Sequence, residues 1–351
     1  MDLGWTGVEL FYVISGFLIT SILLRSRRQP RYFRTFYMRR ALRIFPIYWL
    51  VLVIAVLFAV ATTGAAGSAP FYALYVQNYV PQVATSFSDG LPFLNHTWTL
   101  AIEEQFYWVW PIAVLLLSRR RLISAVLSLL VVAPIARLAL LNDTSNPYAA
   151  LATLPAQADA LAGGALIAIL IDRGTSFAAL RRGGYVAVAL GSLATSALLM
   201  RTGLSSFGTT SLWATDPVNV LLLSSLVCVF AGVLALTIAT RALPRLLSLT
   251  PLRFTGRISY GLYLYYPLAV VATRALTTWS GVDDSTGTVR VLAGMAHLVV
   301  LYLIACVSWR YIERPLLGLK ARLTHAPSDA GLGGATLPLR MGNVATMEPA
   351  P

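Results

Sequence analysis

The chain has 351 residues, of which 57% are apolar and only 12% charged, with a formal net charge of +13. A soluble domain carries about 25% charged residues, so several apolar runs of roughly 18 or more residues exclude an ordinary soluble core and argue for a multi-span membrane protein. The excess positive charge does not point to nucleic acid: 26 of the 27 basic residues are Arg, set in short blocks between apolar runs rather than along one basic face.

Nine spans are expected, at about 7–24, 44–62, 102–118, 122–141, 156–172, 184–200, 218–240, 258–277 and 289–309. The fold class is therefore all-α, a polytopic membrane helix bundle. On hydropathy alone the third and fifth spans are the weak ones, because they carry Glu103, Glu104 and Asp159.

The first span runs into Arg25, Arg27, Arg28, Arg31, Arg34, Arg39, Arg40 and Arg43. Later basic blocks fall at 119–121, 173–182, 241–257 and 310–322, while the intervening loops hold only Arg201 and Arg290. Arg and Lys gather in cytoplasmic loops. This alternation puts the C-terminus in the cytoplasm of a plasma-membrane protein and the N-terminus outside. Residues 1–322 read as one membrane domain and 323–351, rich in Ala, Gly, Pro, Thr and Ser, as a disordered cytoplasmic tail. Trp49, Trp108, Trp110 and Trp309 read as interface anchors, and the long, nearly uncharged outer loop 63–101 as a functional connection. Cys228 and Cys306 lie in apolar runs, as small core residues do.

Charges at membrane depth cost about 2.5–3.5 kcal/mol each on insertion scales, which makes them functional candidates. Those singled out are Glu9, Glu103, Glu104, Asp159 and Glu313, with Arg257 and Arg310 at span ends. In the stretch 96–111, HTWTLAIEEQFYWVWP, Glu103, Tyr107 and Trp110 share a helix face. Glu103 reads either as an interior acid–base group near His96 or as a first-turn residue favoured by the helix dipole. His96 has the ordinary pKa range of a general base. His297 reads as a buried neutral histidine bonded to a neighbour. Arg39, Arg40 and Arg43 lead into Ile44-Phe45-Pro46, where a helix start would add its dipole for an anion. They read as a phosphate site, because a guanidinium pairs with phosphate oxygens, or else as an orientation signal or anionic-lipid patch. There is no metal-ligand cluster, Walker loop or nucleophile elbow.

With these motifs assembled, the chain resembles the acyltransferase-3 family of integral-membrane O-acyltransferases. GVELFYVISGFLIT (7–20), Arg40-Ala-Leu-Arg43, HTWTLAIEEQFY (96–107), PAQADALAGGA (155–165), GRISYGLYL (256–264) and Ile312-Glu313-Arg314-Pro315 match its motifs in order. The resemblance implies transfer of an acyl group, commonly acetyl, from cytoplasmic acyl-CoA (acetyl-CoA in the simplest case) to a hydroxyl of a carbohydrate or glycolipid acceptor in the cell envelope. It implies no permanently bound cofactor. It maps the family's Glu onto Glu103 and its R-x-x-R onto Arg40 and Arg43; taken with the residue chemistry, the expected site is Glu103 and His96 for catalysis, Arg39, Arg40 and Arg43 for donor binding, and Ser15, Asp159, Ser259, Tyr260 and Glu313 for cavity support. The family has ten spans, the first bearing an Arg and a His expected to act as base. Nine spans with an outside N-terminus are what ten leave when that helix is removed. Gln157 stands where Arg is usual, and Tyr263-Leu-Tyr-Tyr-Pro267 lacks a His before its Pro. The rival readings are a transporter or lipid-linked sugar translocase with the same fold, and an inactive truncated homologue.

Overall fold

Each of the nine expected spans falls on a helix of 19 residues or more, the shortest about 28 Å long at 1.5 Å per residue and close to the thickness of a bilayer core. In the computed structural model the described residues are 6–80, 90–141, 148–202, 217–240, 242–279 and 287–318. The helices are α1 (Thr6–Ser26), α2 (Tyr32–Thr63), α3 (Trp98–Leu116), α4 (Arg119–Leu140), α5 (Leu154–Asp172), α6 (Phe177–Thr202), α7 (Pro217–Ala239), α8 (Thr250–Trp279) and α9 (Gly287–Ser308). Among the described residues there is no strand. The architecture is an all-α, multi-pass membrane bundle. The expected tail, 323–351, lies outside the described residues.

Seven of these helices are long and apolar enough to cross a membrane by length and composition, and the two that are not are α3 and α8. For α3 the reason is visible in the packing. Glu103, Glu104 and Gln105 are all buried, so its polar groups face protein and not lipid. The expected weakness of the fifth span is not found, since α5 qualifies despite Asp159. Instead α8 falls short, extended by a turn or more beyond the expected 258–277 and carrying Arg253, Arg257 and Arg274. Outward faces are crowded with exposed Leu, Val, Ile and Phe, such as Leu57, Val109, Leu193 and Val299, a surface suited to lipid.

Two apolar clusters divide the interior. One joins α1, α3, α4 and α5 with the start of α2. The other joins the middle of α2 with α8, α9 and the connecting segment around Tyr72, Tyr75 and Leu94. Helix α3 belongs to both: Leu100 and Ala101 pack in the second cluster, Ile102, Phe106, Tyr107 and Trp110 in the first. Helices α1 and α5 touch backbone to backbone. A Cβ on Gly16 would stand 1.9 Å from the Leu161 carbonyl oxygen, and one on Gly164 would stand 1.8 Å from that of Val13. Such small-residue crossings let membrane helices approach closely.

The described parts of the connection 63–101 are folded onto the bundle. Gln105 Nε2 donates to the Tyr75 carbonyl at 2.7 Å and to Asn78 Oδ1 at 2.9 Å, and Asn78 Nδ2 donates to the Ala152 carbonyl at 2.7 Å. Three expectations are corrected here. Trp110 is no interface anchor, being buried with its indole N–H donating to Thr20 Oγ1 at 2.8 Å, whereas Trp49 and Trp108 are exposed. Cys228 is exposed on α7 rather than in the core. Helix α2 begins at Tyr32, so Arg40 and Arg43 lie more than two turns inside it, beyond the reach of a helix-start dipole that fades within the first turn.

Candidate active site

The early start of α2 puts Arg40 and Arg43 on one face, three residues apart. Arg39 and Arg43 are exposed; Arg40 is half-buried and turned toward α3. Its guanidinium carbon sits 3.3 Å from the ring centroid of Tyr107 and 5.7 Å from that of Phe36. Cations are held over aromatic faces by the ring quadrupole, more strongly when water is excluded. The Arg40 Nε is buried with no hydrogen-bond partner.

Tyr107 is fixed at its other end. Its hydroxyl donates to Glu103 Oε1 at 2.8 Å, the i, i+4 relation on α3, and forms a very short hydrogen bond with Ser15 of α1. Arg40 of α2 therefore lies against a polar chain of Tyr107 and Glu103 from α3 and Ser15 from α1. Its charge acts on Glu103 and Glu104, and that of Arg43 acts on Glu103 and Glu313. Glu104 Oε1 has no hydrogen-bond partner.

Glu313 lies within the field of Arg43. It is buried in a π-helical turn, Trp309–Glu313, after α9, where Ser308 Oγ donates to its Oε1 at 3.5 Å and Tyr265 shares a 2.9 Å hydrogen bond with Ser308. Tyr260 donates to the Ile44 carbonyl at 3.0 Å, tying α8 to the arginine-bearing part of α2. Ser259, in contrast, is exposed and bonded to its own helix at the Gly256 carbonyl, away from the cluster.

His96 lies two turns before Glu103, in the 3₁₀ turn Asn95–Thr97, and the structure does not pair the two directly. Its Nε2 stands 3.0 Å from the Tyr263 carbonyl oxygen. A carbonyl can only accept, so Nε2 carries the proton and Nδ1 keeps its lone pair, buried and without a partner. The Tyr263 hydroxyl returns a hydrogen bond to the His96 carbonyl and shares another with Thr99. Burial pulls the imidazole down to about 4, only partly opposed by the bond to Tyr263. It is a neutral imidazole at neutral pH. His297 has neither ring nitrogen bonded and meets Tyr266 edge-on at 5.2 Å, not the bonded partner expected.

Asp159 belongs to a second buried centre. It is ion-paired with Arg137 of α4, whose Nη2 also donates to Ser224 of α7 at 3.0 Å, and Ser224 donates to Asp159 at 3.3 Å. Glu9 lies within reach of this pair and is hydrogen-bonded by Gln157. Arg137 was not among the singled-out charges, although it is completely buried. The available signal was a lone Arg inside an apolar run, in a segment otherwise free of charge. Tyr107 and Tyr263 were read only as face-sharing or motif residues. Among the described residues no group of three or more His, Cys, Asp or Glu is arranged to hold a metal ion.

A basic stretch, a carboxylate and a tyrosine meeting within an all-helical membrane bundle fit the resemblance seen in the motifs, and residues 3–310 match the model of an acyltransferase domain. The chain belongs to that family, the acyltransferase-3 family of integral-membrane O-acyltransferases. Among characterised relatives, it is 27% identical over 333 residues to the peptidoglycan O-acetyltransferase OatA of Listeria monocytogenes, covering 89% of this chain and 51% of that protein. It is 28% identical over 348 residues to the putative peptidoglycan O-acetyltransferase YrhL of Bacillus subtilis, with 89% and 50% covered. It is 26% identical over 342 residues to the O-acetyltransferase OatA of Staphylococcus aureus, with 89% and 52% covered. The chain spans about half the length of these relatives. No solved structure matches it.

Proposed function

We propose that this chain is a plasma-membrane O-acetyltransferase that moves an acetyl group from acetyl-CoA, bound on its arginine-rich cytoplasmic side, to a hydroxyl of a peptidoglycan-type carbohydrate. Family membership and the names of the relatives support the reaction class and the acceptor. The observation that carries the donor assignment is the arginine stretch itself: Arg39, Arg40 and Arg43 lie within little more than one turn of α2, with Arg40 reaching the Tyr107–Glu103 pair in the interior.

Coenzyme A carries several phosphate charges and a long flexible arm. Guanidinium groups suit the phosphates, because each supplies several N–H donors and a permanent charge. The arm then delivers the thioester along α2 toward Glu103. Attack requires the acceptor hydroxyl to lose its proton, and Glu103 is the base placed beside the arginine stretch. His96, with its bare Nδ1 two turns outward, accepts a hydrogen bond from the acceptor as it enters from the opposite side. The C-terminus is then cytoplasmic, and lipid covers the apolar outer face.

Membranes containing the chain, supplied with acetyl-labelled acetyl-CoA, should transfer label to glycan, and a cysteine introduced at Thr35 should resist membrane-impermeant maleimide in intact cells. Movement of glycan across the membrane without acetylation would replace the enzyme with a translocase. Labelling of position 35 from outside would remove the cytoplasmic donor.

A further inference from the structure

Resting on the acyl-CoA reading above, we propose a division of labour within the arginine stretch. Arg40 acts at the thioester, donating a hydrogen bond to the oxygen that becomes negative during transfer, while Arg43 and Arg39 hold the phosphates. Tyr107 is the positioning residue that fixes Arg40 for this task.

Three observations separate Arg40 from its neighbours. The first is direction. Arg39 and Arg43 are exposed, as a site for a strongly hydrated polyanion requires, whereas Arg40 is turned inward against α3. The second is anchoring. The guanidinium lies 3.3 Å from the centre of a ring that is itself held by hydrogen bonds to Glu103 and Ser15, so little of its position is left to chance. Contact with a ring face uses none of the guanidinium's N–H groups, and these remain available to an acceptor. The third is an open valence: Nε is buried and bonded to nothing. Leaving a buried charged donor unmade is unfavourable, and a ligand oxygen placed there relieves that cost.

Charge decides which oxygen it is. Arg40 already neutralises part of the field of Glu103 and Glu104. A phosphate brought to the same place would bring permanent negative charge beside two carboxyl groups. A thioester carbonyl is neutral when it binds and becomes negative only in the transition state, where a preorganised donor has its effect.

The step balances as follows. The acceptor oxygen bonds to the thioester carbon while Glu103 takes its proton, and the carbonyl electron pair moves onto the oxygen held by Arg40. Collapse of that tetrahedral centre re-forms the C=O bond and breaks the C–S bond. The sulfur leaves with the electron pair and receives the proton from Glu103, giving the O-acetyl ester and free coenzyme A.

The test uses the full chain in lipid nanodiscs, with acetyl-CoA-dependent thiol release measured at saturating glycan acceptor and binding of unacetylated coenzyme A measured by calorimetry. Arg40→Lys keeps the charge but loses the planar group. It should lower kcat by about 100-fold or more, with KM and coenzyme A binding changed by no more than about threefold. Arg43→Ala should do the reverse, raising KM about tenfold or more at nearly unchanged kcat. Tyr107→Leu, which removes the platform and leaves Arg40 in place, should lower kcat without raising KM. Retained coenzyme A binding shows that Arg40→Lys and Tyr107→Leu are folded, and retained kcat shows it for Arg43→Ala. If Arg40→Lys instead raises KM at unchanged kcat, as Arg43→Ala does, Arg40 is one more phosphate ligand and the division is wrong. Failure of the unaltered chain to bind coenzyme A would sink the donor reading itself, and this proposal with it.

Discussion

Replacing Asp159 with leucine would leave Arg137 charged, fully enclosed and short of its partner. In the structure the pair is shielded almost completely from solvent, with Arg137 0% and Asp159 2% exposed, so water cannot compensate the loss. Removing one member of such a pair costs about 3–5 kcal/mol, because the remaining charge stays desolvated. The hydrogen bonds that Ser224 makes to both partners are disturbed as well. At about 2 °C per kcal/mol, the low end for long chains, this is a fall in Tm of about 6–10 °C. Intrinsic tryptophan fluorescence in detergent reads it, since Trp110 is buried in the same half of the bundle. Arg137→Leu should behave alike by stranding the carboxylate. The double variant, with two apolar side chains in place of the pair, should recover most of the loss. If either single variant melts within about 2 °C of the unaltered chain, or the double variant falls as far as the sum of the singles, the centre is not the tightly coupled pair described here.

The other predictions concern packing and pH. Gly164→Val would drive side-chain atoms into the Val13 carbonyl, a backbone atom that cannot swing aside, so α1 should lose its seat on α5 and the chain should be recovered poorly from membranes. Gly183→Ala has open space around its Cβ and should be neutral or stabilising by about 0.5–1 kcal/mol in the same expression and melting assays. Trp110→Phe stays aromatic but loses the indole N–H, strands the buried Thr20 hydroxyl and should cost about 1–2 kcal/mol by thermal unfolding. His96 titrates near 4 when folded against an ordinary 6.5, so the unfolded chain binds the extra proton between those values. Stability therefore falls as pH drops from about 6.5 toward 4, by roughly 2–3 kcal/mol, and is unaffected by this residue above pH 7. His96→Gln should flatten that limb of the Tm–pH curve. An unchanged slope would mean that His96 is solvated and its Nδ1 is not the bare acceptor inferred here.

What could be read from the sequence divides along a physical line. Apolar runs report on the lipid-facing side of a helix, and all nine long helices were legible because each keeps such a side. Helix limits were less legible, since α2 continues through the arginine stretch to Tyr32 and arginine is as good a helix former as leucine. That continuation turns the expected anion site at a helix start into a pair of side chains on a helix face. Shared faces within one helix were legible too: Glu103 and Tyr107 are four apart, and they bond.

Contacts between helices followed no such rule. Arg137 and Asp159 are 22 residues apart on different helices, and Arg40 and Tyr107 are 67 apart, so no window of sequence contains either pair. A motif match can locate Asp159, but it says nothing about which cation neutralises it. The case of Gln157 makes the same point from the other side. It stands where the family's motif usually has Arg, and in the fold it bonds the carboxyl group of Glu9, which lies in the field of both Asp159 and Arg137. A guanidinium thus serves the same buried group of carboxylates, delivered by α4 rather than by α5. A departure from a linear motif is no evidence that a charge is missing until the neighbouring helices have been placed around it.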